Sequence, residues 1–391
     1  MAEIDRILDL LEPSSEIIKK GRERQEAIWE KRKPDYIPIL LGHTREKSPG
    51  LTHERRLKLA EHHLIGGINV PEFDDFPHYN FKEQFYNKEQ MLAEALWEII
   101  SWDRSRSDAQ LAIRSNHGVG IVASIFGLEI EVREDSMPWV KNYLPKEKIV
   151  DFELPDIRKA GLIPRVIEHT EYLKEKLEGK ARVYLPDTQG PFSIAHLVRG
   201  NDIFTDIYDD PDFVHHLMNL STQAYIQVTK LFKTIVDEPL NSGYHGSLYM
   251  AGGGVRLCDD TSILLPPDKF REFSLPYLRR ALEPFGGGWV HFCGDGKHLL
   301  DEYLNTEEVK AINLGNPEMY DYAETMAKLL KKDKFYYGSW PRLKTESVRD
   351  YFLRILEPLK EVKKGLIFRP TGKGDWPHPK ESMEIWHSLQ N

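Results

Sequence analysis

His291 and Cys293 are the residues whose types and spacing most directly suggest chemistry. They stand two apart in an apolar run, and residues two apart in an extended strand point to the same side. An imidazole beside a thiolate suits Zn²⁺, which accepts nitrogen at about 2.0 Å and sulfur at about 2.3 Å and keeps one position open when it is catalytic. The alternative is a buried thiol beside a hydrogen-bonded histidine.

Two ligands do not make a zinc site, so a third must come from elsewhere in the chain. The first candidate is Cys258, which ends the preceding predicted strand, and the other candidates are Asp259, Asp260 and His298. The chain has only two cysteines, which are too few for a disulfide framework in a sequence of 391 residues. Cys258 and Cys293 are therefore expected to matter for chemistry rather than for covalent cross-linking.

Polar residues also follow other apolar runs, where barrel enzymes place their reactive groups. The candidate catalytic groups are Asp75, Asp187, Asp260 and Lys373. The candidate substrate-binding groups are His117, Gln189, Tyr244 and His245, with a structural role as the alternative for the histidines. Several carboxylates in one cleft would need nearby cations, for which Lys373, Arg256 or a metal ion are the candidates.

The elements that must position these residues are short apolar runs alternating with helical segments. This alternation is typical of repeated βα units around a parallel sheet. Nine segments are candidate strands: 36–41, 67–73, 111–114, 182–185, 255–258, 289–293, 309–314, 335–338 and 366–369. The first 33 residues instead predict two helices, the second capped by Ser15.

Two stretches interrupt this alternation. Residues 115–156 form a long connection that could fold over the mouth of a barrel, and the glycine-rich residues 237–254 could form a flexible active-site loop. For both stretches the alternative is an ordinary surface excursion.

Composition excludes several classes of protein. The chain carries 53 Lys and Arg against 62 Asp and Glu, a net charge of −9, which disfavours a nucleic-acid partner. No apolar run approaches the roughly 18 residues needed to span a membrane, and the acidic start does not read as a targeting signal. The sequence therefore predicts a soluble, cytoplasmic protein.

Several motifs together resemble the uroporphyrinogen decarboxylase and cobamide-dependent methyltransferase superfamily, from about Pro34 to the C-terminus. The motifs are 186–200, from Pro-Asp-Thr-Gln-Gly-Pro to Arg-Gly; 208–211; 259–277; the His-Phe-Cys-Gly of 291–294; and 365–368. The resemblance implies a (β/α)8 TIM barrel over residues 34–391, preceded by an N-terminal helical extension over residues 1–33. Because a barrel needs eight strands, segment 36–41 is expected to be the extra one.

The superfamily has two well-known branches, and this sequence matches neither completely. The decarboxylases bind an acidic tetrapyrrole through N-terminal arginines, whereas the corresponding loop here has Arg45 beside Glu46. Asp75 could still align with their catalytic carboxylate. The methyltransferases hold zinc through His-x-Cys and a later Cys, but the equivalent stretch here, 371–375, contains Lys373 and no cysteine.

The favoured interpretation is a zinc-dependent methyltransferase that moves a methyl group between a corrinoid and a thiol or similar acceptor. His291, Cys293 and Cys258 would bind the metal, and a separate corrinoid protein is an expected partner beside a small-molecule substrate. The alternatives are a cofactor-independent decarboxylase acting through Asp75, and a non-catalytic small-molecule-binding barrel, since a fold does not fix a function.

Overall fold

The chain folds into an α/β structure in which short parallel strands alternate with helices. The computed structural model describes residues 2–44, 68–69, 77–343, 345–370 and 379–391. Its strands are β1 (His43–Thr44), β2 (Ile68–Asn69), β3 (Ala112–Ile113), β4 (Ile130–Glu131), β5 (Trp139–Val140), β6 (Arg182–Val183), β7 (Ser242–His245), β8 (Leu248–Ala251), β9 (Val255–Cys258), β10 (Gly288–Phe292), β11 (Val309–Leu314), β12 (Phe335–Gly338) and β13 (Leu366–Phe368).

Helices connect most of these strands. They are α1 (Ala2–Leu8), α2 (Ser15–Trp29), α3 (Phe81–Tyr86), α4 (Lys88–Ser105), α5 (Lys146–Val150), α6 (Ile163–Lys176), α7 (Pro191–Arg199), α8 (Ile203–Asp209), α9 (Pro211–Ile235), α10 (Pro267–Lys269), α11 (Leu275–Leu282), α12 (Lys297–Asn305), α13 (Tyr322–Lys331), α14 (Val348–Leu356) and α15 (Pro379–Ser388). A π-helical segment, Phe270–Ser274, joins α10 to α11. Within the described ranges, no helix is long and apolar enough to cross a membrane.

The largest sheet contains five parallel strands in the order β13-β12-β11-β10-β9. The predicted bounds of β9, β11 and β12 are confirmed, and β10 begins one residue earlier than predicted. Successive side chains of a strand point to opposite faces of the sheet. Val290 and Phe292 of β10 pack in a hydrophobic cluster that also contains residues of the long helix α9. Trp289 packs in a second hydrophobic cluster on the other face. Residues of this second face therefore line the interior, where the site is built.

The segment before β1 pairs with the last strand of this sheet. The backbone N–H of Leu40 donates to the Phe368 carbonyl at 2.7 Å, and the Phe368 N–H donates to the Pro38 carbonyl at 2.9 Å, so Ile39 forms a parallel bridge with Phe368. The expectation that segment 36–41 is the extra strand was therefore wrong. The segment covers an otherwise unpaired sheet edge, which natural proteins rarely leave open.

The remaining parallel strands form short pairs, β1 with β2 and β3 with β6. Across the described ranges, the parallel strands thus form one five-stranded sheet and two pairs rather than one continuous ring. The α/β class and the parallel sheet are established by this topology.

The predicted N-terminal helices are present and packed against the rest of the chain. Ser14, and not Ser15, caps α2, because the Ile17 N–H reaches the Ser14 hydroxyl at 3.4 Å. The buried Gln25 of α2 donates to the Asp108 carbonyl at 2.7 Å and accepts from the Tyr249 N–H at 2.6 Å. These bonds tie α2 to the segment before β3 and to β8.

Both interrupting stretches contain antiparallel hairpins. Residues 115–156 contain β4 and β5, and residues 237–254 contain β7 and β8. The second hairpin directly precedes β9, and its Gly254 N–H donates to the Phe285 carbonyl just before β10. It therefore lies at the amino ends of the strands and forms an ordered hairpin rather than the flexible active-site loop that the glycines suggested.

Candidate metal centre

The register of the parallel strands places candidate ligands side by side on adjacent strands. In the parallel ladder His291 of β10 pairs with Cys258 of β9 on one side and with Asn313 of β11 on the other. Because paired residues in neighbouring strands project to the same face, the three side chains meet in the interior near the carboxyl ends of the strands. Such strand ends are where barrel enzymes build their active sites.

Cys258, Asp260 and His291 form a group whose potential ligand atoms all lie within 4.8 Å of one another. The Cys258 thiol donates to Asp260 Oδ2 at 3.2 Å, and Asp260 Oδ1 lies 3.8 Å from His291 Nε2. Cys258 is 3% exposed, whereas the carboxylate of Asp260 is 42% exposed. The structure therefore brings together three of the residues that the sequence offered as ligands.

Cys293 approaches the same group from the end of β10. Its Sγ lies 3.4 Å from His291 Nε2, and its backbone N–H donates to Asp260 Oδ1 at 2.7 Å. Its side chain is exposed, unlike that of Cys258. Asp260 thus contacts both cysteines, and the four residues form what we call the thiol cluster: Cys258, Asp260, His291 and Cys293.

Asn313 orients His291, a role that sequence reasoning missed. The Asn313 Nδ2 donates to the Tyr337 carbonyl at 2.5 Å, which leaves its Oδ1 to accept from His291 Nδ1 at 2.5 Å. The proton therefore sits on Nδ1, and the Nε2 lone pair faces the two thiols. Burial, with the nearby Arg256, lowers the pKa of His291 to about 4, so the ring is neutral as a metal ligand requires.

The thiols need a cation to ionise here. Burial raises the pKa of Cys258 well above its usual value, and burial with the neighbouring Asp260 raises the pKa of Cys293 to about 12. The imidazole nitrogen of His291, the sulfur of Cys258 and a carboxylate oxygen of Asp260 are donor types that zinc accepts, and Cys293 lies beside this group of three rather than within it. The residues present therefore fit zinc.

Asp259 points away from the thiol cluster. It is 1% exposed and accepts from the Ser262 hydroxyl at 2.6 Å and from the Tyr303 hydroxyl at 2.8 Å. His298 is also elsewhere, with its Nε2 3.0 Å from the Leu265 carbonyl. These two alternatives for the third ligand are structural groups in this arrangement.

The buried carboxyl of Asp259 makes stability depend on pH. Burial raises its pKa from 3.8 to about 6, so the folded state holds the proton more tightly than the unfolded state does. Its contribution is fully present below pH 3.8 and is lost as pH rises to about 6. Relative to Asp259→Asn, the wild-type protein should lose about 3 kcal/mol over this interval, at roughly 1.4 kcal/mol per pKa unit.

Urea unfolding of both proteins across this pH range measures the effect. Free energies of unfolding that run parallel with pH would contradict the assignment, whatever the offset between the two curves. Asp156→Asn, at an exposed carboxylate paired with Lys159, is the matched control.

Asp187 lies on the same interior side and is held by two arginines. Its Oδ2 is 3.3 Å from Arg114 Nη2 and 3.2 Å from Arg256 Nη1, and its Oδ1 accepts from the Gln189 side chain at 2.6 Å. Burial alone would raise the pKa of Asp187, but Arg256 and Arg114 hold it well below its usual value. Arg256, one of the cations that the sequence offered for these carboxylates, thus lies against Asp187. Gln189 holds this carboxylate from a left-handed backbone conformation with φ of 52°.

The other sequence-predicted residues lie apart from the thiol cluster or outside the described ranges. His117 is fully buried against His169 and Phe85. His245 packs between Tyr184 and Trp289, and the ring of Tyr244 lies tilted against that of Tyr249 on the same hairpin. Asp75, with its neighbour Asp74, and Lys373 fall outside the residues that the structure describes.

Comparison with known proteins agrees with this architecture. The family model described as uroporphyrinogen decarboxylase (URO-D) matches residues 80–234. A solved structure described as a methyltransferase from Methanosarcina mazei superposes with a TM-score of 0.62 at 14% identity, covering 95% of this chain and 98% of that chain. No curated protein matches the sequence.

The family match supports the resemblance to uroporphyrinogen decarboxylase over residues 80–234. The superposition, at this identity, shows a shared fold. The family match ends in α9, before β9 and β10, so the thiol cluster lies beyond the matched residues.

Proposed function

We propose that the protein is a zinc-dependent methyltransferase that moves a methyl group between a corrinoid and a thiol or similar acceptor. The observation that carries the proposal is the group formed by the neutral imidazole of His291, the Cys258 thiol and the Asp260 carboxylate, with the Cys293 thiol 3.4 Å from the imidazole. A bound zinc ion would lower the pKa of a thiol and hold it as the thiolate nucleophile.

The chain's own residues have distinct roles in this proposal. His291, Cys258 and Cys293 hold the metal, and Asp260 either binds it directly or, once Cys258 has lost its proton, accepts only from the backbone N–H of Cys293. Asn313 fixes the ring of His291. Cys258 takes the place of the later cysteine that the superfamily's methyltransferases use and that this sequence lacks at 371–375.

The proposal extends to architecture and partners. We place the thiol cluster at the mouth of a closed eight-stranded barrel formed by residues 34–391, with residues 1–33 as a helical extension. The exposed side chain of Cys293 is the part of the cluster nearest to solvent, where a small-molecule substrate and a separate corrinoid protein would approach. A decarboxylase acting through Asp75 remains the alternative, but its key residue lies outside the described ranges.

Metal content and methyl transfer test this function together. Protein purified without chelator should contain about one zinc per chain, and chelation should remove both the zinc and the transfer of methyl from methylcobalamin to a thiol. Readdition of zinc should restore transfer. A protein that binds no zinc under reducing conditions would end the proposal, because neither a decarboxylase nor a binding barrel requires the metal.

A further inference from the structure

Arg114 and Arg256 share a single carboxylate in the interior of the strands. Both guanidinium groups contact the same oxygen of Asp187, its Oδ2. The other oxygen accepts from the side chain and the backbone N–H of Gln189. Two positive charges therefore meet one negative charge, and Asp187 has no oxygen left to take more donors.

Most hydrogen-bond donors of these two arginines remain unused. A guanidinium carries five N–H groups, and each arginine uses one of its nitrogens, on Asp187, among the described residues. Aromatic rings help to fix both groups, since Arg114 lies 6.0 Å from the ring of Tyr184 and Arg256 lies 5.7 Å from that of Trp289. Each side chain is 17% exposed, so the free donors are sheltered but accessible.

The neighbouring carboxylates balance the charge of the two arginines but leave their free donors unused. Asp260 is committed to the thiol cluster, where its two oxygens accept from the Cys258 thiol and the Cys293 N–H. Glu98 lies within electrostatic reach of Arg114 and Arg369, and Asp260 lies within reach of Arg256. Three guanidinium groups thus face three carboxylates, and what Arg114 and Arg256 still offer a ligand is their free N–H groups.

We infer that Arg114 and Arg256 form a subsite for a carboxylate of the substrate, next to the thiol cluster. The free N–H groups of the two guanidinium forks match the two oxygens of a planar carboxylate. Arg256 precedes Cys258 by two residues on β9, so both side chains project to the same interior face about one same-face step apart, roughly 6.6 Å. The inference rests on the proposed function for the reaction, and it adds that the substrate is a small carboxylic acid.

Propionate and propanamide are suitable probes, because they have nearly the same size and shape and differ in charge. Ligand-observed NMR titration at neutral pH should show propionate binding at least tenfold more tightly than propanamide. The titration is run on the protein as purified and again after chelation, since a carboxylate could also bind a metal. A preference seen only with metal present, or no preference at all, would overturn the subsite.

Arginine variants assign the preference to these residues. Arg256→Gln leaves Arg114 and Asp187 as a neutral pair, and it should reduce the preference for propionate to less than twofold. Arg114→Gln makes the same test from a different strand end, should the first variant fold poorly. Arg279→Gln, at an exposed arginine paired with Glu308, is the matched control and should keep the preference.

Four further outcomes separate the possibilities. Inorganic phosphate that binds more tightly than propionate would overturn the carboxylate assignment, as would a preference for propionate that survives in both variants. A protein without zinc or methyl transfer that still binds propionate through Arg114 and Arg256 would refute the proposed function while supporting the subsite. A zinc-loaded, active protein that binds propionate and propanamide with equal affinity would refute the subsite while supporting the proposed function.

Discussion

His291→Ala should reduce the affinity for zinc by more than a hundredfold and abolish methyl transfer while the protein remains folded. His291 supplies the nitrogen that faces both thiols, 3.4 Å from Cys293 Sγ. Loss of an outer residue that only orients a ligand typically costs 10–100-fold in metal affinity, so loss of the ligand itself should cost more. Competition with a chromophoric chelator measures the affinity, and circular dichroism checks the fold.

Four further variants make this test specific. Cys258→Ser should weaken zinc binding nearly as much as Cys293→Ser does, because both thiols belong to the cluster. Asn313→Ala should reduce the affinity for zinc by about 10–100-fold, as expected for a residue that orients a ligand. His298→Ala is the matched control, since that ring contacts the Leu265 carbonyl instead. Unchanged zinc affinity in Cys258→Ser would show that this thiol is merely buried.

Asp187→Ala should lower the free energy of unfolding by about 3–5 kcal/mol, the usual cost of breaking a buried ion pair on one side. Removal of the carboxylate leaves Arg114 and Arg256 as neighbouring cations, each only 17% exposed and without their common partner. Urea unfolding measures the loss. Asp187→Asn keeps the shape of the group and removes its charge, so it should also destabilise the protein if electrostatics dominate.

Asp333→Ala is the matched surface comparison, because Asp333 pairs with Lys31 and Lys364 while 51% of its side chain is exposed. Exposed ion pairs contribute about 0–1 kcal/mol, so this variant should change little. Equal losses in Asp187→Ala and Asp333→Ala would mean that the two arginines do not depend on the buried carboxylate.

The strands that carry the metal ligands were predictable, whereas their register was not. The apolar runs at 255–258, 309–314 and 335–338 gave the bounds of β9, β11 and β12, because strands buried on both faces are nearly continuous in apolar residues. Cys258 could be proposed as a ligand because its strand precedes that of His291. That His291 also pairs with Asn313 depends on hydrogen bonding between strands, which composition and spacing do not encode.

The grouping of Arg114 and Arg256 around Asp187 was harder to predict from the sequence. In sequence, the loop after segment 36–41 contains too few arginines to bind several carboxylates. The structure instead gathers Arg256 from within β9, Arg114 from directly after β3 and Asp187 from the segment after β6. Segment 36–41 was misassigned for a related reason, since its partner, β13, lies more than 300 residues away in the sequence.

Cys258, His291 and Asn313 pair side by side across three adjacent strands, and this arrangement also bears on how such a site can evolve. Their sequence neighbours Leu257, Val290 and Ile312 point the other way, into the core that supports the helices. Reactive and supporting positions therefore alternate along the same strands, and substitutions in one set leave the packing of the other largely untouched. One scaffold can in this way exchange ligand types at three adjacent positions, and thereby change its chemistry, without rebuilding its interior support.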